Sequence, residues 1–66
     1  MKIMINGSEK LIDRNILVYD LILQLGIENK RYAIECNGEI IPKSEIKNRT
    51  INEGDKFEIV GAVGGG

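Results

Sequence analysis

Sixty-six residues with nine basic and ten acidic side chains, a net charge of -1 and 42% hydrophobic content allow one domain and no more. A chain this short buries only about 60% of its unfolded surface, so several positioned catalytic groups in a deep cleft do not fit, and a binding or carrier role is favoured over an enzyme. The balanced charge and only three aromatics, Tyr19, Tyr32 and Phe57, leave no basic, base-stacking footprint for nucleic acid, and no stretch approaches the roughly 18 apolar residues of a membrane span.

Met1, Ile3 and Ile5 alternate with Lys2, Met4 and Asn6, the period of a half-buried strand. This segment lacks the long apolar run of a signal peptide, so a cytoplasmic protein is expected. Asn6-Gly7-Ser8 supplies turn chemistry, and a second strand over about Glu9 to Ile12 completes a hairpin. Asn15 is a candidate N-cap for a helix over Ile16 to Leu25, with Leu17, Leu21 and Leu25 at i, i+4 and i+8, flanked by Val18 and Ile22. Asp20 and Gln24 point away, and Gly26 is placed to end the helix in a left-handed conformation. The wide apolar stripe predicts packing across a sheet rather than against a partner helix or membrane.

Tyr32, Ile34 and Cys36 alternate with Ala33 and Glu35 as a third strand, and Asn37-Gly38 is a strong signal for a type I′ hairpin turn. Glu39-Ile40-Ile41 returns as a short strand stopped by Pro42. Residues 43 to 51 read as irregular, with one helical turn around Ser44 to Ile46. Glu53-Gly54-Asp55 is a turn, and Lys56 to Val63 is the last strand, with Phe57, Ile59 and Val63 on one face. The order β-β-α-β-β-β makes this an α+β fold, a β-grasp (ubiquitin-like) roll. The first and last strands pair in parallel at the centre of the sheet, and one main helix covers one face. The domain is assigned to residues 1–63.

Cys36 is the one cysteine, and there is no histidine. An internal disulfide is therefore impossible, and zinc sites and Ser-His or Cys-His nucleophile systems are excluded; no metal site is expected. As a sulfur acceptor Cys36 is chemically suited, but a lone cysteine without cationic help normally behaves as a small hydrophobe.

The final segment, Gly61-Ala62-Val63-Gly64-Gly65-Gly66, sets three consecutive glycines after the last strand. Glycine ordering carries a high entropy cost, and residues 64–66 are expected to form a flexible lead that threads into a narrow site. Gly66 then presents a carboxylate with no Cβ to crowd an incoming group. A solvated end of no function has the same composition. A phosphate-cradling loop would sit between a strand and a helix N-terminus, and no helix follows here. Gly61, inside the last strand, marks either a bulge or a close backbone approach.

The β-grasp order, the Asn37-Gly38 hairpin, the Glu53-Gly54-Asp55 turn, and Phe57-Glu58-Ile59-Val60 running into Val63-Gly64-Gly65-Gly66 together resemble the ThiS family. Those are the sulfur carriers of thiamin biosynthesis. The resemblance covers the whole chain, with the strand-to-glycine end as its most specific element. It implies that a ThiF-like adenylyltransferase activates Gly66 with ATP, and that a persulfide sulfur from a cysteine desulfurase converts it to a thiocarboxylate. A ThiG-like thiazole synthase then takes the sulfur. The chain itself would be a cosubstrate that binds no cofactor. The small subunit of molybdopterin synthase, a ubiquitin-related modifier, and a β-grasp interaction module without sulfur chemistry share these features. The partner is expected on the open face of the sheet, where strand alternation turns Met4, Ala33, Val60 and Ala62 outward into one apolar patch.

Overall fold

The computed structural model describes residues 1–61; Ala62, Val63 and Gly64 to Gly66 lie outside the described residues. Along the chain run β1 (Lys2–Ile5), β2 (Ser8–Leu11), α1 (Val18–Leu25), β3 (Tyr32–Cys36), β4 (Glu39–Ile40), α2 (Lys43–Ile46) and β5 (Lys56–Gly61). The strands form one five-stranded sheet in the order β2-β1-β5-β3-β4. β1 and β5 are parallel, and the remaining neighbours are antiparallel. This is the β-grasp arrangement expected from the sequence, with β5 at the centre between β1 and β3.

The two Asn-Gly pairs set the hairpins. Asn6 and Gly7 have φ of 49° and 84°, and Asn37 and Gly38 have φ of 53° and 89°. Two successive positive values belong to a type I′ turn, whose twist matches that of the flanking strands. The second strand therefore begins at Ser8 and ends at Leu11, one residue earlier than the alternation predicts. β4 is one residue shorter than expected, but Ile41 still donates its N–H to the Ile34 carbonyl at 2.8 Å and is buried.

Helix α1 departs from expectation at its start. Asn15 is not the cap: it sits at φ 62°, and residues 16 and 17 run alongside residues 49–51 instead of joining the helix. The Ile51 N–H donates to the Ile16 carbonyl at 3.1 Å, and the Val18 N–H donates to the Arg49 carbonyl at 2.8 Å. These nonlocal bonds, with the bridge between Leu17 and Thr50, outweigh the helical preference of the local sequence. Leu17 becomes the N-cap, and its N–H donates to Asp20 Oδ2 at 2.7 Å; this is the backward half of a capping box. At the other end Gly26 (φ 72°) closes the helix as expected. The Gly26 N–H bonds to the Leu23 carbonyl at 3.0 Å and the Ile27 N–H to the Ile22 carbonyl at 3.3 Å, the paired bonds of a Schellman motif.

The late start rotates the buried stripe. Val18, Leu21 and Ile22 are fully buried, while Leu25 is exposed and Leu17 half-buried, so the stripe centres one position away from the expected Leu17–Leu21–Leu25 line. These three residues meet Ile3, Ile34, Cys36 and Phe57 of the sheet. Ile12, Ile41, Ile46 and Ile51 close the core's margins, and Ile5 and Ile59 pack against it. Burying side chains of this size stabilises by about 1.5–3 kcal/mol each, and these contacts are what hold a domain this small together.

Candidate functional site

β5 carries the chain from the centre of the sheet toward Gly66, so the candidate site is built from this strand and its neighbours. Two asparagines grip it. At its start, Asn37 Oδ1 accepts from the Lys56 N–H at 3.0 Å, and the Asn37 N–H donates to the Lys56 carbonyl at 2.8 Å. Asn37 Nδ2 also donates to Asp55 Oδ1 at 3.0 Å, and Asp55 Oδ2 accepts from the Asn52 N–H at 2.8 Å. Asp55, the one buried charged residue among those described, thus ties the β3–β4 hairpin to the turn that launches β5. Further along, Asn6 Oδ1 accepts from the Ile59 N–H at 2.8 Å, and Asn6 Nδ2 donates to the Ile59 carbonyl at 3.1 Å.

On the open face, register decides which side chains meet. Ala33 of β3 stands opposite Val60 of β5, and Glu35 opposite Glu58. Met4 of β1 stands opposite Lys56 on one side and Glu9 on the other, while Ile40 of β4 pairs with Glu35. Of the residues assigned to the docking face, Ala33 and Val60 are therefore brought together. Met4 is half-buried and in register with a position four residues before Val60, about 13 Å along the strand. Glu58 lies on the same face between Lys56 and Val60. The expected single apolar patch is divided as a result: alternation gave the right face, but the parallel β1–β5 register sets Met4 away from Val60. The expected Ala62, Gly64, Gly65 and Gly66 positions lie outside the described residues. Two residues that sequence reasoning left out also stand on this face, Leu11 and Ile40, exposed by 78% and 69%. Their positions in the β2 and β4 alternation were the available signal.

Gly61 pairs with Tyr32 in a register unbroken back to Cys36–Phe57, so it marks no bulge. A Cβ built on it would meet only the Arg31 carbonyl oxygen, at 3.8 Å, which is ordinary contact. Cys36 faces the core, 1% exposed, opposite Phe57. The structure corrects one premise about it, because a cation is at hand: Arg49 lies beside the thiol, as does Asp55. Burial pushes the thiol above its ordinary value, the Asp55 carboxylate adds to that, and the opposing Arg49 does not offset them. A buried thiol held protonated is a poor nucleophile.

The ThiS family model matches residues 3–66, from the second residue of β1 through the triple glycine. The chain belongs to the ThiS family. A solved structure of a thiamine biosynthesis protein (ThiS) from Geobacter metallireducens superimposes with a TM-score of 0.83 at 26% identity, each chain covered completely. A thiazole synthase from Paramagnetospirillum magneticum is 42% identical over all 66 residues of this chain, which span 20% of that longer protein. The uncharacterized protein ycf40 of Porphyra purpurea is 33% identical over the whole chain and 93% of its own length. A ThiS-family chain therefore shares both its fold and its full extent with small relatives, and matches one segment of a thiazole synthase. Among the described residues no helix is long and apolar enough to cross a membrane.

Proposed function

We propose that this protein is a sulfur carrier of thiamin biosynthesis whose working group is the Gly66 carboxylate. The observation that carries the reading is the family match over residues 3–66, which includes the terminal Gly64-Gly65-Gly66. In this reading a ThiF-like adenylyltransferase brings ATP to the tail. The carboxylate oxygen attacks the α-phosphorus, pyrophosphate leaves, and an acyl-adenylate forms. A persulfide supplied through a cysteine desulfurase attacks the acyl carbon, and AMP departs with the C–O bond pair. A second thiol then cleaves the resulting acyl disulfide, releasing the terminal thiocarboxylate and leaving a disulfide behind. The softer sulfur is the better nucleophile toward an electrophilic carbon on the acceptor. Return of the oxygen from water regenerates the carboxylate, so the chain is consumed and restored as a cosubstrate. It holds no cofactor of its own, since ATP and the persulfide are handled by partners.

The match to a segment of a thiazole synthase favours a ThiG-like acceptor over the molybdopterin branch, because domains found in one chain commonly act on one another. The reading puts docking on the open face at Ala33 and Val60, with Met4 farther along the sheet and Ala62 next in sequence after β5. Incubation with a ThiF-like enzyme, ATP and a sulfur source, followed by intact-mass measurement, tests the reading. The chain should exchange one oxygen for one sulfur. A variant with one residue added beyond Gly66 should fold but remain unloaded. Loading of that extended chain without trimming would overturn the assignment.

A further inference from the structure

The β1–β5 ladder continues past the point where β1 itself ends. Met4 donates its N–H to the Asp55 carbonyl at 2.9 Å, and Asn6 donates its N–H to the Phe57 carbonyl at 2.9 Å. In a regular parallel ladder the next rungs to β5 come from the carbonyl of residue 6 and the N–H of residue 8. The chain cannot make them, because it reverses at Asn6-Gly7 and residue 8 already pairs with Ile5 on the way back. The Asn6 side chain supplies both rungs instead. Its amide offers a carbonyl oxygen and an N–H in the same relation as a peptide group, and Ile59 takes both, at 2.8 and 3.1 Å. Asparagine suits the position on a second count, since it tolerates the φ of 49° that the turn imposes. Glutamine would not: its longer side chain misses the peptide-like geometry and it disfavours positive φ.

We propose that Asn6 is a positioning residue for the reaction at Gly66. Its side-chain amide anchors Ile59 and so holds the end of β5 that precedes the reactive carboxylate in sequence. β3 holds the same stretch of β5 from the other side, with Ile34 opposite Ile59 and Ala33 opposite Val60. Without Asn6 the outgoing end of β5 is paired along one edge only. It then becomes free to fray, and the order lost must be recovered each time the tail enters an activating site. Ordering a residue costs about 1–2 kcal/mol of conformational entropy, a factor of about 5–30 in rate for one residue. The proposal rests on the carrier reading above.

Asn6→Gly isolates the effect, because glycine accepts the turn conformation while removing the amide. Asn6→Asp keeps the acceptor for the Ile59 N–H but sets a carboxylate against the Ile59 carbonyl. Three measurements are compared with the unaltered protein: amide exchange at Ile59 and Gly61, binding to a ThiF-like enzyme without ATP, and single-turnover adenylation at saturating carrier. Asn6→Gly should exchange about 5–10-fold faster at Ile59, as expected for two exposed hydrogen bonds lost. It should bind with unaltered affinity and adenylate at least 5-fold more slowly, with Asn6→Asp between the two. A merely structural role would lower the thermal transition without slowing a saturated, folded sample. Adenylation at the normal rate in Asn6→Gly, or a defect confined to binding, overturns the proposal while leaving the carrier reading intact. Failure of the unaltered protein to be adenylated overturns both.

Discussion

Val60→Asp tests whether the open face is the dock. Val60 is 65% exposed in the free domain, so most of its side chain is available for burial by a partner. Full burial of a side chain this size is worth about 1.5–3 kcal/mol, and the exposed share therefore about 1–2 kcal/mol. An aspartate forfeits that and adds an unpaired polar group to the interface, at about 1–3 kcal/mol. The sum, about 2–5 kcal/mol, corresponds to at least a 30-fold rise in the half-saturating carrier concentration. The same change weakens the strand. Aspartate is disfavoured there by about 1 kcal/mol, and the new carboxylate joins the like-charged pair Glu35 and Glu58 beside it, at about 0.2–1 kcal/mol. The melting temperature should fall by about 5–15 °C, and the assay belongs well below that transition. Val60→Thr is the control: it keeps the β-branched shape, should melt within a few degrees of the unaltered protein, and should raise half-saturation only severalfold. ATP–pyrophosphate exchange with a ThiF-like enzyme, titrated with carrier, reads both variants. Unchanged half-saturation for folded Val60→Asp refutes the placement of the dock.

Cys36 should resist alkylation at neutral pH and become reactive only above the ordinary thiol range, since burial raises its pKa. Because the native thiol holds its proton more tightly than the unfolded one, the associated stability is complete below the unfolded pKa and is lost as pH rises through the native value. Cys36→Ser should cost about 1 kcal/mol, remove that part of the alkaline decline, and still accept sulfur at Gly66; a folded Cys36→Ser that cannot be loaded would put the thiol in the relay. Asp55→Ala leaves the Asn37 side-chain amide and the Asn52 N–H without their acceptor, and should lower stability by about 2–3 kcal/mol. Urea titration should show a lower midpoint with an unchanged slope, and an unshifted midpoint would show the network to be dispensable.

Local chemistry in the sequence determined a great deal. The Asn-Gly pairs required positive φ at two successive positions and so fixed both hairpins. Gly26 required a left-handed helix end. Alternation along Tyr32 to Cys36 and from Lys56 onward assigned side chains to the core or the open face, and this assignment placed Ala33 and Val60 outward correctly. The glycine run marked the segment that the family reading makes functional. Each of these rests on interactions within a few residues, which a linear pattern records.

Tertiary structure decided what depends on distant partners. Residues 16 and 17 carry a helical pattern but extend to pair with residues 49–51, so the helix begins at Val18. Met4 and Val60 share a face but not a neighbourhood, because the parallel register that separates them is set by packing across more than fifty residues of chain. Arg49 and Asp55 reach Cys36 only in the folded domain. The same is true of Asn6: its residue type announced a turn, whereas the two hydrogen bonds that join it to Ile59 exist only once β5 has entered the sheet beside β1. Periodicity fixes which way a side chain points, but only the assembled sheet fixes what it points at.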